Sequence, residues 1–118
     1  MADQPIDLIF LITPKPGKHD DFITLFNACA AHAKEHEPGT TRYYLHRGFT
    51  DKGHTNNNQL VVRETYANAE ALKVHSQAAP VKAILKAIMG GTIVETSQLI
   101  HLSPDGRGYD RGVSKLKL

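Results

Sequence analysis

The first ordered pattern along the chain is a short apolar run. Ile6 to Thr13 is apolar at nearly every position and rich in β-branched residues before it stops at Pro14-Lys15-Pro16-Gly17. The run is too short for a helix, and its composition predicts a strand covered on both faces. From Lys18 to Glu35, Phe22, Leu25, Phe26, Cys29 and Ala33 recur at three- and four-residue steps until Glu37-Pro38-Gly39 interrupts them. That spacing predicts a long amphipathic helix. Thr40 to Arg47 reads as a second strand, the polar stretch Gly48 to Asn58 as a hairpin loop, and Gln59 to Tyr66, with Leu60, Val61 and Val62, as a third strand.

Asn68 stands where an N-cap is expected for a short helix over Ala69 to Ser76, and Glu70 in its first turn favours the same start through the helix dipole. Val81, Ile84, Leu85 and Ile88 form a second helical stripe that ends at Gly90-Gly91. Ile93 to Leu102 is a last strand, with Val94, Thr96 and Gln98 alternating against Ile93, Glu95, Ser97 and Leu99. The order strand, helix, strand, strand, helices, strand predicts an α+β fold. It is the ferredoxin-like split βαβ arrangement, one four-stranded antiparallel sheet with helices on one face. Leu8 and Phe10 alternate with Ile9 and Leu11, so the sheet face away from the helices is apolar too. The economical cover for that face is the same sheet of a second copy, joined by two-fold symmetry.

Composition narrows this picture. The 118 residues suit one core, assigned to residues 1–102, with residues 103–118 as a C-terminal arm carried by Tyr109, Val113, Leu116 and Leu118. Lys and Arg exceed Asp and Glu by 14 to 12, a surplus gathered in the arm, which argues against a nucleic-acid footprint. The longest apolar run, Leu8 to Ile12, is far too short to span a bilayer, so no membrane partner is expected. Cys29 is the only cysteine, so no internal disulfide and no cysteine-rich zinc cluster can form. The N-terminus shows no basic region followed by an apolar signal core, and a cytoplasmic protein is expected.

Three stretches carry a family resemblance: Pro14 to Gly17 before the first helix, Glu37 to Tyr43 entering strand two, and Arg63 to His75. Together they resemble the antibiotic biosynthesis monooxygenase family of dimeric ferredoxin-like α+β barrels, over roughly residues 6–102. In that family strand three commonly reads Glu, any residue, then Trp or Tyr, followed by a helix with Ala and then His. Here Glu64, Tyr66, Ala71 and His75 occupy those slots. The resemblance implies a homodimer with a small hydrophobic pocket between sheet and helices. Several relatives oxygenate phenols or quinols without metal or flavin; others are isomerases or have no assigned activity. Heme-degrading relatives typically carry a strand-one Asn, a strand-three Trp and a His on the later helix; this chain has none at those places.

Within that frame His75 is the candidate general base, because Leu72 three residues earlier puts it on an apolar helix side and an imidazole titrates near neutrality. Deprotonating a phenol or enol makes a carbanion-like species able to reduce dioxygen, so the expected oxidant is dioxygen and no cofactor is called for. Tyr66 is the candidate donor to a developing oxyanion or peroxide. Substrate contacts are expected from Phe22, Phe26, Tyr43 and Arg63, the last for an anionic group. The same base without dioxygen would make an isomerase, and a dimeric small-molecule-binding or stress protein is the non-enzymatic alternative.

Two further patterns carry less. His32-Ala33-Lys34-Glu35-His36 matches a His-x-x-Glu-His zinc pattern, but Pro38-Gly39 ends the helix at once and no third ligand is apparent, so no metal site is assigned. The glycines at 106, 108 and 112 lack the spacing and context of a dinucleotide loop.

Overall fold

The structure is a computed structural model that describes residues 4–111. The chain runs β1 (Ile6–Pro14), α1 (His19–His36), β2 (Thr40–Phe49), β3 (Thr55–Tyr66), α2 (Ala69–Gln77), α3 (Ala79–Gly90) and β4 (Val94–Leu102). The strands form one sheet in the order β2-β3-β1-β4, every neighbour antiparallel, which is the expected split βαβ topology. Each helical connection skips one strand, so β1 and β3 become the central pair.

Opposed residues in adjacent strands share a face, and this divides the sheet. Leu8 lies opposite Glu64 and His101, and Phe10 opposite Val62 and Leu99, on the face under the helices. Ile9 lies opposite Arg63 and Ile100, and Leu11 opposite Val61 and Gln98, on the outer face. The core joins Ile12, Leu60 and Val62 of the sheet to Phe22, Phe26 and Cys29 of α1 and Val81 and Ile84 of α3.

Two expectations are corrected. The hairpin loop is Thr50–His54 rather than residues 48–58. Gly48 and Phe49 continue the ladder against Asn56 and Thr55, and the Thr50 hydroxyl and Gly53 at φ 80° close the turn. Backbone pairing sustains these polar strand ends, where Thr55, Asn58 and Gln59 stay exposed and Asn56 and Asn57 are half-buried. On β4 the alternation is not continuous: Pro14 pairs with Val94 but Thr13 with Thr96, leaving Glu95 as the extra residue of a bulge. The bulge turns Val94 into the core while Thr96 and Gln98 fall on the outer face.

The Asn68 side chain accepts from the Ala71 amide, as an N-cap should. Ala78 at ψ 139° separates α2 from α3, and Pro80 occupies the first turn of α3. In the arm, Tyr109 is 82% exposed with the Arg111 guanidinium over its ring. Val113, Leu116 and Leu118, its other expected anchors, lie outside the described residues. No helix among the described residues is long and apolar enough to cross a membrane.

Candidate active site

Between the inner sheet face and the helices lies a cavity of about 160 Å³. Its walls are apolar, supplied by Leu8 and Phe10 of β1, Phe22 of α1, Leu72 of α2 and Ile84, Leu85 and Ile88 of α3. Polar groups gather at one end: Tyr43, Glu64, Tyr66, His75 and Ser76. No lysine or arginine lines it among the described residues.

β3 supplies two of these groups through its period of two. Glu64 and Tyr66 point to the same side, both buried, and the Tyr66 hydroxyl donates to Glu64 Oε1. Tyr43, paired with Glu64 across the β2–β3 ladder, stacks face to face on Phe26 with ring centroids 4.8 Å apart. α2 brings His75 against both tyrosines, at 4.9 Å from the Tyr43 ring and 5.2 Å from the Tyr66 ring, and buries it to 3% exposure.

His75 has a second, non-local partner. Its Nδ1 lies 2.7 Å from Oε1 of Glu37, the residue that caps the end of α1. The Thr40 hydroxyl donates to the same oxygen at 2.9 Å, and His32 Nδ1 lies 2.8 Å from Oε2. Burial pushes the Glu37 carboxyl up, but the hydrogen bonds from His75, His32 and Thr40 outweigh it and hold the group below the usual range. Glu64 shows the opposite balance, raised because burial outweighs the Tyr66 hydrogen bond and the charge of His75. Burial likewise raises Tyr43 and Tyr66, and pushes the Cys29 thiol up to about 11. The site therefore sets a carboxyl lowered by its hydrogen bonds and a carboxyl raised by burial in the surroundings of a single imidazole.

Of the residues singled out from the sequence, His75, Tyr66, Phe22 and Tyr43 meet at this cavity. Phe26 does not line it; its ring backs Tyr43. Arg63 is corrected outright: it alternates with Glu64 and is exposed on the outer face, with Arg42, so it cannot contact a ligand in this cavity. His32 and His36 sit with rings 5.0 Å apart, but His32 is engaged by Glu37, and no group of three or more His, Cys, Asp or Glu side chains among the described residues is disposed to hold a metal ion. Glu37 was missed as a site residue. In sequence it reads only as part of a helix stop, and nothing local connects it to a histidine 38 positions away.

Comparison with known proteins agrees with this architecture. The family model described as antibiotic biosynthesis monooxygenase matches residues 5–87. A candidate antibiotic biosynthesis monooxygenase from Caulobacter crescentus is 30% identical, superposes with a TM-score of 0.70, and the match covers 86% of this chain and 90% of that one. A Mycobacterium tuberculosis protein gives 0.67 at 21% identity, covering 89% of this chain and 99% of its own. SnoaB, a cofactor-independent oxygenase from Streptomyces nogalater, gives 0.67 at 17% identity, covering 88% and 96%. No curated protein matches the chain.

Proposed function

The chain belongs to the antibiotic biosynthesis monooxygenase family, and from that premise we propose that it is a cofactor-independent monooxygenase of a small, uncharged phenolic or enolisable metabolite, with His75 as general base. The observation that carries this reading is the position of His75: its Nδ1 is committed to Glu37 while its ring borders an apolar cavity. An ionised carboxylate only accepts, so Nδ1 carries the proton and Nε2 is left with its lone pair. A proton taken from the substrate by Nε2 leaves an electron-rich anion that dioxygen can oxidise.

Such a reaction balances without an external reductant. An activated methylene and dioxygen give a carbonyl and water, the substrate supplying all four electrons. Tyr66, whose hydroxyl donates to Glu64 in the unliganded site, turns to donate to the oxyanion or peroxide. The acidic and apolar lining disfavours an anionic substrate, which departs from the carboxylate ligand that Arg63 would have served. SnoaB shares only the fold at its level of identity, so it speaks to what the scaffold can house.

One observation favours a second reading. A base and a carboxyl whose pKa burial raises, side by side at one end of an apolar cavity, are also the kind of groups that proton-transfer isomerisation uses. Oxygen uptake with quinols and uncharged enolisable compounds, measured under chelation, separates the cases. Uptake with gain of one oxygen atom by the product is the expected result. Rearrangement without uptake identifies an isomerase, and binding without turnover a non-catalytic protein.

The assembly belongs to the same proposal. Ile9, Leu11, Val61 and Ile100 give the outer sheet face an apolar centre, flanked by Tyr44 at 59% exposure. Two copies meeting on this face make a homodimeric α+β barrel, and the arm clasps the neighbour through the exposed Tyr109.

A further inference from the structure

We infer that Glu37 is the positioning residue of this site, fixing the tautomer of His75 and stabilising the imidazolium that forms when His75 takes a proton. The inference rests on the reading of His75 as a base. It goes beyond that reading by assigning a role to a residue outside the cavity lining.

The geometry has three parts. The Glu37 side chain is 2% exposed and that of His75 is 4%, so the 2.7 Å contact between Oε1 and Nδ1 is sheltered from water. The carboxylate is held at three points, by His75 and Thr40 on Oε1 and by His32 on Oε2, and cannot swing away without breaking the set. His32, on the solvent side of the carboxylate, is 35% exposed and serves as its outer anchor. A carboxylate without a proton accepts only, so neutral His75 must carry its proton on Nδ1 and present Nε2 unprotonated.

The titratable groups facing His75 are Glu37 at the end of α1, Tyr43 on β2, and Glu64 and Tyr66 on β3, with Cys29 behind Tyr43. Of these only Glu37 has a hydrogen bond to the ring. When Nε2 gains the proton, the positive charge is formed 2.7 Å from an anion already in place. Little has to reorganise, which is how a preorganised group lowers a barrier.

The test uses the full chain labelled with ¹⁵N-histidine, without substrate. Neutral His75 should be protonated on Nδ1 in the wild type, and predominantly on Nε2 in Glu37→Ala. Either an Nε2-protonated wild type or an unchanged tautomer in a folded Glu37→Ala variant overturns the inference. If Glu37→Ala fails to fold, Glu37→Gln is the informative variant, since it keeps the shape and an accepting oxygen but not the charge. It should lower kcat roughly tenfold with KM within about twofold; an unchanged kcat in folded Glu37→Gln overturns the inference. The tautomer needs no substrate, so a chain without oxygenase activity but with an Nδ1-protonated His75 would defeat the proposed reaction and leave the role of Glu37 standing.

Discussion

Gly39 and Ala71 touch where β2 begins beneath α2: a Cβ built on Gly39 would lie 2.5 Å from the Ala71 Cβ. The Gly39 carbonyl also accepts from the Ala67 amide at 2.8 Å. The Glu37-Pro38-Gly39 turn and the helix bearing His75 are thus pressed together at a point where only glycine fits. Gly39→Ala is expected to cost about 1–3 kcal/mol, the usual penalty for overpacking, and to lower turnover further by moving Glu37 away from His75. Denaturant midpoints measure the first effect; an unchanged midpoint would contradict the close approach.

Replacing the imidazole tests the base itself. His75→Asn retains an N–H for the Glu37 carboxylate but has no titrating nitrogen facing the cavity. Turnover should fall by at least ~10²-fold, the scale of a positioned acid–base group, with the far-UV spectrum unchanged. Wild-type turnover in this variant would remove His75 from the reaction.

The two buried glutamates make opposite contributions to the dependence of stability on pH. Glu37 is lowered from 4.5 in the fold, so its hydrogen-bonded carboxylate stabilises the protein above that value, and this contribution is lost as pH falls through the lower, folded one. Glu64 is raised from 4.5, so the native state holds its proton more tightly and stability declines as pH rises from 4.5 through the folded value. Thermal scans of Glu64→Gln should therefore lose part of the wild-type decline above pH 4.5. Those of Glu37→Gln should fall below wild type at pH 7, with the gap closing in acid. A Glu64→Gln curve parallel to wild type would show that Glu64 titrates normally.

Assembly gives a prediction independent of substrate. With Ile9 and Leu11 on the outer face, the chain should sediment as a dimer at low micromolar concentration, and Leu11→Asp should yield monomers, because an unpaired charge at the centre of an apolar interface is costly. A soluble, folded wild-type monomer would rule out the face-to-face arrangement. Deleting residues 104–118 should weaken association; if it does not, only the clasp is lost.

Periodicity alone made the element order, and with it the topology, readable: Phe22, Phe26, Cys29 and Ala33 mark one helix face, and Leu60 and Val62 one strand face, because burial follows the geometric repeat of each element. Sequence likeness also brought Tyr66 and His75 together, since both lie in one continuous motif with a fixed strand-to-helix geometry. Other features depend on how elements meet. The bulge at Glu95 comes from matching β4 to β1 and leaves no periodic mark. The face that Arg63 occupies was open until the burial of Glu64 fixed the phase of β3. Glu37 reaches His75 only because the end of α1 and the end of α2 converge over β2, a contact across 38 residues. Local patterns decide which faces are apolar; long-range packing decides which polar side chains are enclosed together, and the chemistry of this site depends on that enclosure.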